Sequence, residues 1–394
     1  MNPLLLTGIF SINISVDHRR LTIWQPKAET ISFDFRRCPY DIIVIDAHGG
    51  RVSFDALRWL AIHDITLVML RWNGELMYES VSGSTGNGKL RIAQYVAFLN
   101  KKTHIIIAKE IIKQKIDNSI SLLSTLQNFY SDIDLTTIRK EAKSFNKVKT
   151  TKEIMTTEGR IAEAYWYETR KIFAKIAPDM LFESRRSSSN NISASTEISA
   201  SLNYAYSIIE AISRKYVNAI GLDRNIGFNH AVVQSKEGLI YDIQELARYA
   251  ADLSVIQLFE TSMKHSDFIV TENFHIRLKP DTAKQLVKIL QDNLNRKYPY
   301  KNGKNFTLEN ILFQNVRNVA DYVMNNTTLL KFDMPSLEIN RNDTFDMQNL
   351  ILSIDTKMRK SMHINKSSLW YQQKKLKEGK PIKLYAKTRA KIQR

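Results

Sequence analysis

By type and spacing, His230, Asp242 and Glu245 are the residues best placed to do metal or proton chemistry. They lie in "GFNHAVVQSKEGLIYDIQELARYAAD", residues 227–252. An imidazole with nearby carboxylates can bind a divalent ion or move a proton. Asp242 and Glu245 are three residues apart, so a continuous helix would place them on one face. Arg248 and Asp252 extend that polar face, while Ile243, Leu246, Ala250 and Leu253 line an apolar one. Two readings stand at this point. One is a solvated charged helix downstream of a hydrogen-bonded histidine. The other is a metal site, which needs a third ligand from elsewhere in the chain. "TTEGRIAEAYWYETR" offers Glu158, with Glu163 and Glu168 as rivals on composition alone. Oxygen ligands with one imidazole suit Mg2+ or Mn2+.

The elements that must position these residues change character along the chain. Through the first ~90 residues the pattern is short, β-branched or alternating runs: "LLLTGIF", "RLTIWQP", "ETISFDF", "YDIIVIDA" and "ITLVMLRW". Gly49-Gly50 marks a turn, and Ser53 caps a helix over "SFDALRWLAIHD". "GELMYESV" pairs back on the preceding strand as a hairpin. After Gly88 the spacing becomes helical with almost no Gly or Pro. One helix is expected from Gly159 to about Ile176, starting just after Glu158. A Ser/Asn-rich loop carrying Arg185 and Arg186 precedes a long helix that stops at Gly221. Further helices begin near Asp242 and over "DTAKQLVKILQDNLNRKY". The polar connection "YPYKNGKNF" then leads into "LENILFQNVRNVADYVMNN".

The chain has 394 residues, enough for two or three cores, and its 43% hydrophobic and 25% charged content is that of a globular protein. No apolar run reaches the ~18 residues of a membrane span, so no membrane partner is expected. The apolar start, "MNPLLLTGIFSINISV", lacks a basic leader and reads as a first strand rather than a signal peptide. The single Cys38 allows no disulfide framework and no cysteine-based zinc site, and fits a cytoplasmic location. The net charge of +17 favours a polyanionic partner. Thirteen Lys/Arg against one acid, Glu378, fall between Lys357 and Arg394, so most of that excess sits in the tail.

Four stretches, in order, resemble one known family: "EGRIAEAYW", "LNYAYSIIEA", "IGLDRNIGFNH" and "LIYDIQELARYAAD". The family is that of the CRISPR-associated adaptation integrases, which includes the casposases of casposon mobile elements. The resemblance covers about residues 10 to 330. It implies an α+β protein with an N-terminal β-rich dimerisation domain, residues 1–88. An all-α catalytic domain follows, residues 89–335. It also implies that Glu158, His230 and Glu245 bind Mg2+ or Mn2+, with Asp242 beside them as a further ligand or proton acceptor. Arg248 matches an Arg that follows the acidic pair, and Asp252 matches a later Asp. The chain departs from the pattern at Tyr249, where a Pro is usual, and at Ser199, where an Asn precedes the Leu-Asn-Tyr motif. Those departures touch local DNA contacts rather than the ligand set.

The implied reaction is metal-dependent phosphoryl transfer in DNA. Attack by water gives an endonuclease, and attack by a DNA 3′-OH gives integration into a target duplex. Arg185, Arg186 and Arg248 are the candidate phosphate contacts. The tail, residues 336–394, reads as a basic helix-turn-helix around "MHIN", with Asn365 as the N-cap of its second helix. Lys366, Ser368, Trp370, Lys374 and Lys375 would face DNA. The alternative is an amphipathic helix docked on the body, followed by a basic arm. Casposases commonly carry such a tail, so a casposase-like integrase acting as a homodimer or higher oligomer is the expectation. The alternatives are a CRISPR spacer integrase with a small companion subunit, and a non-catalytic DNA-binding regulator.

Overall fold

The computed structural model describes residues 3–339 and 365–377, apart from 9–10, 27, 48, 72–73, 81–86, 183–195, 231, 233, 235, 272–274 and 301–302. The chain divides into two compact units, Met1–Leu337 and one beginning at Glu338.

The first unit opens with strands. β1 (Pro3–Gly8), β2 (Ile12–Asp17), β3 (Arg20–Trp24), β4 (Ile31–Phe33), β5 (Ile42–Ala47) and β6 (Gly50–Val52) precede helix α1 (Phe54–Ile62). β7 (Thr66–Leu70) and β8 (Leu76–Glu79) complete two four-stranded sheets, ordered β1-β5-β7-β8 and β4-β3-β2-β6. β1, β5 and β7 run parallel, and β8 returns antiparallel as the expected hairpin. Leu6, Ile43, Ile45 and Leu67 of the first sheet share one apolar core with Ile12, Ile14, Leu21 and Ile23 of the second. Trp59 and Leu60 of α1 fill the same core. Ser53 caps α1 as its sequence position predicts, its hydroxyl accepting from the Ala56 N–H at 3.1 Å. Gly50 is not a turn residue. It begins β6, where a Cβ would stand 2.2 Å from the Ile12 carbonyl oxygen, so only glycine lets β6 pair with β2 there.

The rest of the unit is mostly helical: α2 (Gly88–Leu99), α3 (Lys101–Gln127), α4 (Thr136–Phe145), α5 (Thr151–Ile176), α6 (Glu197–Ile220), α7 (Gly238–Gln244) and α8 (Arg248–Phe259). After β9 (Phe268–Val270) and β10 (Ile276–Leu278) come α9 (Pro280–Asn295), β11 (Lys297–Pro299), β12 (Asn305–Thr307) and α10 (Leu308–Val323). The region is therefore not all-α. Two small antiparallel ribbons, β9–β10 and β11–β12, interrupt it, the second formed by the polar connection "YPYKNGKNF". α6 is the central helix. It packs on β7 and β8 of the first sheet and on α7, α8, α9 and α10. It ends at Gly221, whose φ of +92° suits glycine.

Three helix boundaries differ from the sequence reading, each for a local reason. The run after Gly88 breaks at Asn100, whose side chain accepts from the Thr103 N–H and starts α3. α5 starts eight residues before Gly159. Thr150 and Glu153 form a capping box there, and the helix continues through Gly159, where nothing lies within 4 Å of the Cβ position and no close contact requires a glycine. Glu158 thus projects from within α5 rather than preceding it. The helix over residues 238–259 breaks after Gln244 and resumes at Arg248, so Glu245 caps α7 rather than sharing a continuous face with Asp242.

Candidate active site

Two glycines let the His230 loop touch α7. A Cβ on Gly227 would lie 2.5 Å from the Gly238 carbonyl carbon and 2.9 Å from Asp242 Oδ2. That backbone contact brings residues 227–230 across the buried Asp242 carboxylate. Asp242 Oδ2 accepts from the Phe228 and Asn229 N–H groups. Its Oδ1 accepts from the His230 N–H at 3.0 Å and lies 2.8 Å from His230 Nδ1. A proton on Nδ1 satisfies this contact, and in the neutral ring of that tautomer Nε2 would be the nitrogen that accepts or ligates. Asp242 is therefore occupied with orienting the loop and the histidine. Gln94, fully buried on α2, anchors the preceding turn by donating to the Asp223 and Ile226 carbonyls, both at 2.9 Å.

Glu158 of α5 and Glu245 at the end of α7 meet at a third helix. Lys115 Nζ of α3 lies 2.6 Å from Glu158 Oε1 and 3.0 Å from Glu245 Oε2. Arg248 Nη1 donates to the other Glu245 oxygen at 2.6 Å, and its guanidinium stacks over Tyr206 at 4.9 Å. Burial alone would push the Glu245 carboxyl up, but Arg248, Lys115 and His230 outweigh it and hold it at about 2. Glu245 Oε2 is buried, and the Lys115 ammonium beside it pairs by charge without hydrogen-bond alignment. Asn118, one turn along α3, donates to the Leu246 carbonyl at 2.9 Å and fixes the α7–α8 break. Neither Lys115 nor Asn118 carries a sequence signal. They sit on a helix rich in lysine and polar residues, and only packing shows which ones face inward.

The donor set suits a divalent ion: two carboxylates from different helices, one with an oxygen that lacks a hydrogen bond, beside an imidazole oriented through its far nitrogen. Among the described residues, no three His, Cys, Asp or Glu side chains stand together at metal-ligating range. Lys115 instead bridges the two carboxylates.

The remaining candidates separate. Glu163 is exposed, and the buried Glu168 accepts from the Asp134 N–H and Lys171, so neither rivals Glu158. Asp252 does not extend a polar face. It is buried and accepts from Tyr165 of α5 at 2.7 Å and from Tyr206 of α6, tying three helices together. Arg248 is partly exposed, with one nitrogen engaged by Glu245. Arg185 and Arg186 lie outside the described residues, as do residues 340–364 with the first half of the expected helix-turn-helix. In the second unit, helix α11 (Lys366–Lys377) is described, and Asn365 caps it as expected by accepting from the Ser367 N–H. Lys366 and Ser368 lie on α11, but their side chains are outside the described set. Trp370 and Tyr371 are exposed beneath Lys374 and Lys375, whose ammonium groups lie 5.2 and 4.9 Å from the ring centres.

Behind α7 lies a second charge cluster that sequence reading missed. Glu237, the N-cap of α7, pairs with Arg214 and Arg224 at 2.8 Å each, and Arg214 also holds Glu210 at 2.6 Å. Glu79 of β8 packs beside them. Burial pushes its carboxyl up to about 7, with Arg214 opposing that rise and Glu237 adding to it.

With this geometry in view, the comparison with known proteins is decisive. The family pattern described as "CRISPR associated protein Cas1" matches residues 10–292. The chain belongs to the Cas1 family. A curated Cas1 relative, a CRISPR-associated endonuclease of Archaeoglobus fulgidus, is 27% identical over 293 residues, 69% of this chain and 83% of the relative. A second, from Thermodesulfovibrio yellowstonii, is 27% identical over 239 residues, 58% of this chain and 72% of the relative. Among solved structures, a casposase bound to integration product matches with a TM-score of 0.80 at 35% identity, covering 90% of this chain and 99% of that one. A Cas1 protein from Thermotoga maritima matches with a TM-score of 0.68 at 13% identity, covering 85% and 100%, a likeness of fold. Membership of Cas1 agrees with the four sequence motifs and with the mixed α+β architecture. No helix among the described residues is long and apolar enough to cross a membrane.

Proposed function

We propose that the protein is a divalent-metal-dependent DNA integrase that joins DNA 3′-OH ends into a target duplex by transesterification, in the manner of a casposase. The observation that carries this reading is the convergence of Glu158 and Glu245 on one cation position, with the Asp242-oriented His230 within range for its charge to act on Glu245. A bound Mg2+ or Mn2+ would supply Lewis acidity at the scissile phosphate. Glu158, Glu245 and His230 would hold it. Glu245, held at about 2, stays ionised at any working pH, so protons do not compete for it. Asp242 keeps the histidine in the required tautomer and aim, an outer role rather than a ligand's. Arg248 holds Glu245 Oε1, and Oε2 faces the cation position that Lys115 occupies. Water as attacking group gives nicking, and a 3′-OH gives strand joining.

Three features favour the casposase-like role. The identity of 35% extends over 99% of the structure titled as a casposase bound to integration product. A separate unit beyond Leu337 carries α11, whose exposed Trp370, Tyr371 and Lys374, with the half-buried Lys375, suit a nucleic-acid face. The excess positive charge also concentrates in that tail. In this reading residues 1–88 dimerise, 89–335 catalyse and 336–394 read DNA. Arg185, Arg186, Arg248, Lys366 and Ser368 add to the contacts. The curated relatives are CRISPR-associated by name, which supports the second reading, spacer insertion with a small companion subunit. Glu158, His230, Asp242 and Glu245 are all present in the sequence, which argues against a regulator without activity.

The test is strand transfer of a 3′-OH oligonucleotide into a plasmid with Mn2+. Wild type should join the strands, and Glu158→Ala and His230→Ala should not. Full activity in either variant overturns the site. A preference for casposon-type inverted ends over a CRISPR repeat supports the first role, and the opposite preference supports the second.

A further inference from the structure

We infer that Lys115 is a built-in counter-ion that competes with the divalent cation for Glu158 and Glu245, so that the ion enters only as this side chain leaves. The inference rests on the metal-site reading above. Lys115 reaches both carboxylates at once, at 2.6 and 3.0 Å, from a helix that contributes neither. A divalent ion ligating both carboxylates at ~2.0–2.2 Å occupies the same ground, and two cations cannot share it. Arg248 does not have to move, because it holds the other Glu245 oxygen. Glu158 and Lys115 each keep 21% of their side-chain surface exposed, which gives the ammonium a route out on its flexible stem.

Two consequences follow for the chain. Without Lys115, Glu245 would lack its second counter-charge beside Arg248 and Glu158 its only short ion pair among the described residues, so the two carboxylates would repel each other and attract a foreign cation. Once displaced, the ammonium stays within a side-chain's length of the site and can rest on a DNA phosphate. DNA binding then draws Lys115 off the carboxylates, and DNA and the ion reinforce each other.

The test titrates Mn2+ into the full-length, DNA-free protein by calorimetry or by electron paramagnetic resonance. Lys115→Met should bind Mn2+ about 10-fold or more tightly than wild type. Lys115→Arg, which keeps the charge, should not gain. Addition of a short duplex should tighten Mn2+ binding to wild type and do so much less in Lys115→Met. Unchanged or weaker Mn2+ affinity in Lys115→Met overturns the inference. Should that variant fail to fold, amine labelling of wild type read by mass spectrometry replaces it. Mn2+ should raise the labelling of Lys115 several-fold, and no change overturns the inference. Glu158→Gln and His230→Ala serve to separate the two readings. If both bind Mn2+ as wild type does, the metal lies elsewhere and the proposed site fails. If both lose it while Lys115→Met gains nothing, only the role of Lys115 fails.

Discussion

Between the two sheets and α1 the interior is apolar: Leu6, Ile14, Leu21, Ile43, Leu60 and Leu67 are almost fully buried, with Trp59 beside them. Around α7 and α8 the interior instead holds Asp242, Glu245 and Asp252, all buried and all partnered. In the sheet region Asp46 is a buried charge whose partners come from the helical part of the unit. Its carboxylate accepts from Arg277 at 2.9 Å and from Tyr204 of α6 at 3.4 Å. The difference separates two uses of a core. The first region buries surface that any well-packed apolar side chain could supply. The second buries charges that stabilise only while each partner stays in place, and that hold functional groups in one orientation.

Changes at the proposed metal ligands should damage function far more than stability, and these are the largest effects expected. Loss of a metal ligand forfeits several kcal/mol of transition-state stabilisation, so Glu158→Ala and His230→Ala should lower strand transfer at least about 1,000-fold. Thermal unfolding should show both still folded. The apolar centre should behave in the opposite way. Leu67→Ala should cost about 2–5 kcal/mol in urea unfolding, while activity per folded molecule stays near wild type.

Asp252→Ala tests whether buried charge always means function. It removes the carboxylate that accepts from the Tyr165 and Tyr206 hydroxyls and should cost about 2–4 kcal/mol, with only a small loss of strand transfer per folded molecule. A selective collapse of activity would move Asp252 into the catalytic set. Asp242→Asn keeps the shape but can present a donor to His230, so activity should fall about 10- to 100-fold.

Glu79 gives a pH signature at the seam between the regions. Its folded-state value lies at about 7, above the ordinary 4.5, so the fold favours the neutral form. The stability it contributes is fully present below about pH 4.5 and is lost as pH rises through about 7. Glu79→Gln should therefore match wild type in acid and exceed it by roughly 1–3 kcal/mol above about pH 8, measured by urea unfolding at both pH values. Ser53→Ala is the smallest change. Loss of the α1 cap should cost about 1 kcal/mol and leave DNA joining untouched.

The sequence alone determined what short-range rules govern. Short β-branched or alternating runs located β1, β3, β4, β5, β7 and β8, but not β2, β6 or the four ribbon strands; Ser53 and Gly221 marked helix ends, and four ordered motifs named the family and the acidic and histidine candidates. It also pointed to α11 through Asn365. It did not reveal that Thr150 and Glu153 start α5 early, although that capping box is a local signal. Tertiary structure decided the rest. The break between α7 and α8 turns an expected solvated face into a buried cluster, because Asn118 and Lys115 reach it from more than a hundred residues upstream. The backbone contact of Gly227 with Gly238 gives Asp242 its role by bringing four hydrogen-bond donors to one carboxylate. Side-chain type shows which groups can carry charge. Which charges meet depends on how distant helices pack, and the spacing along any one of them does not encode that.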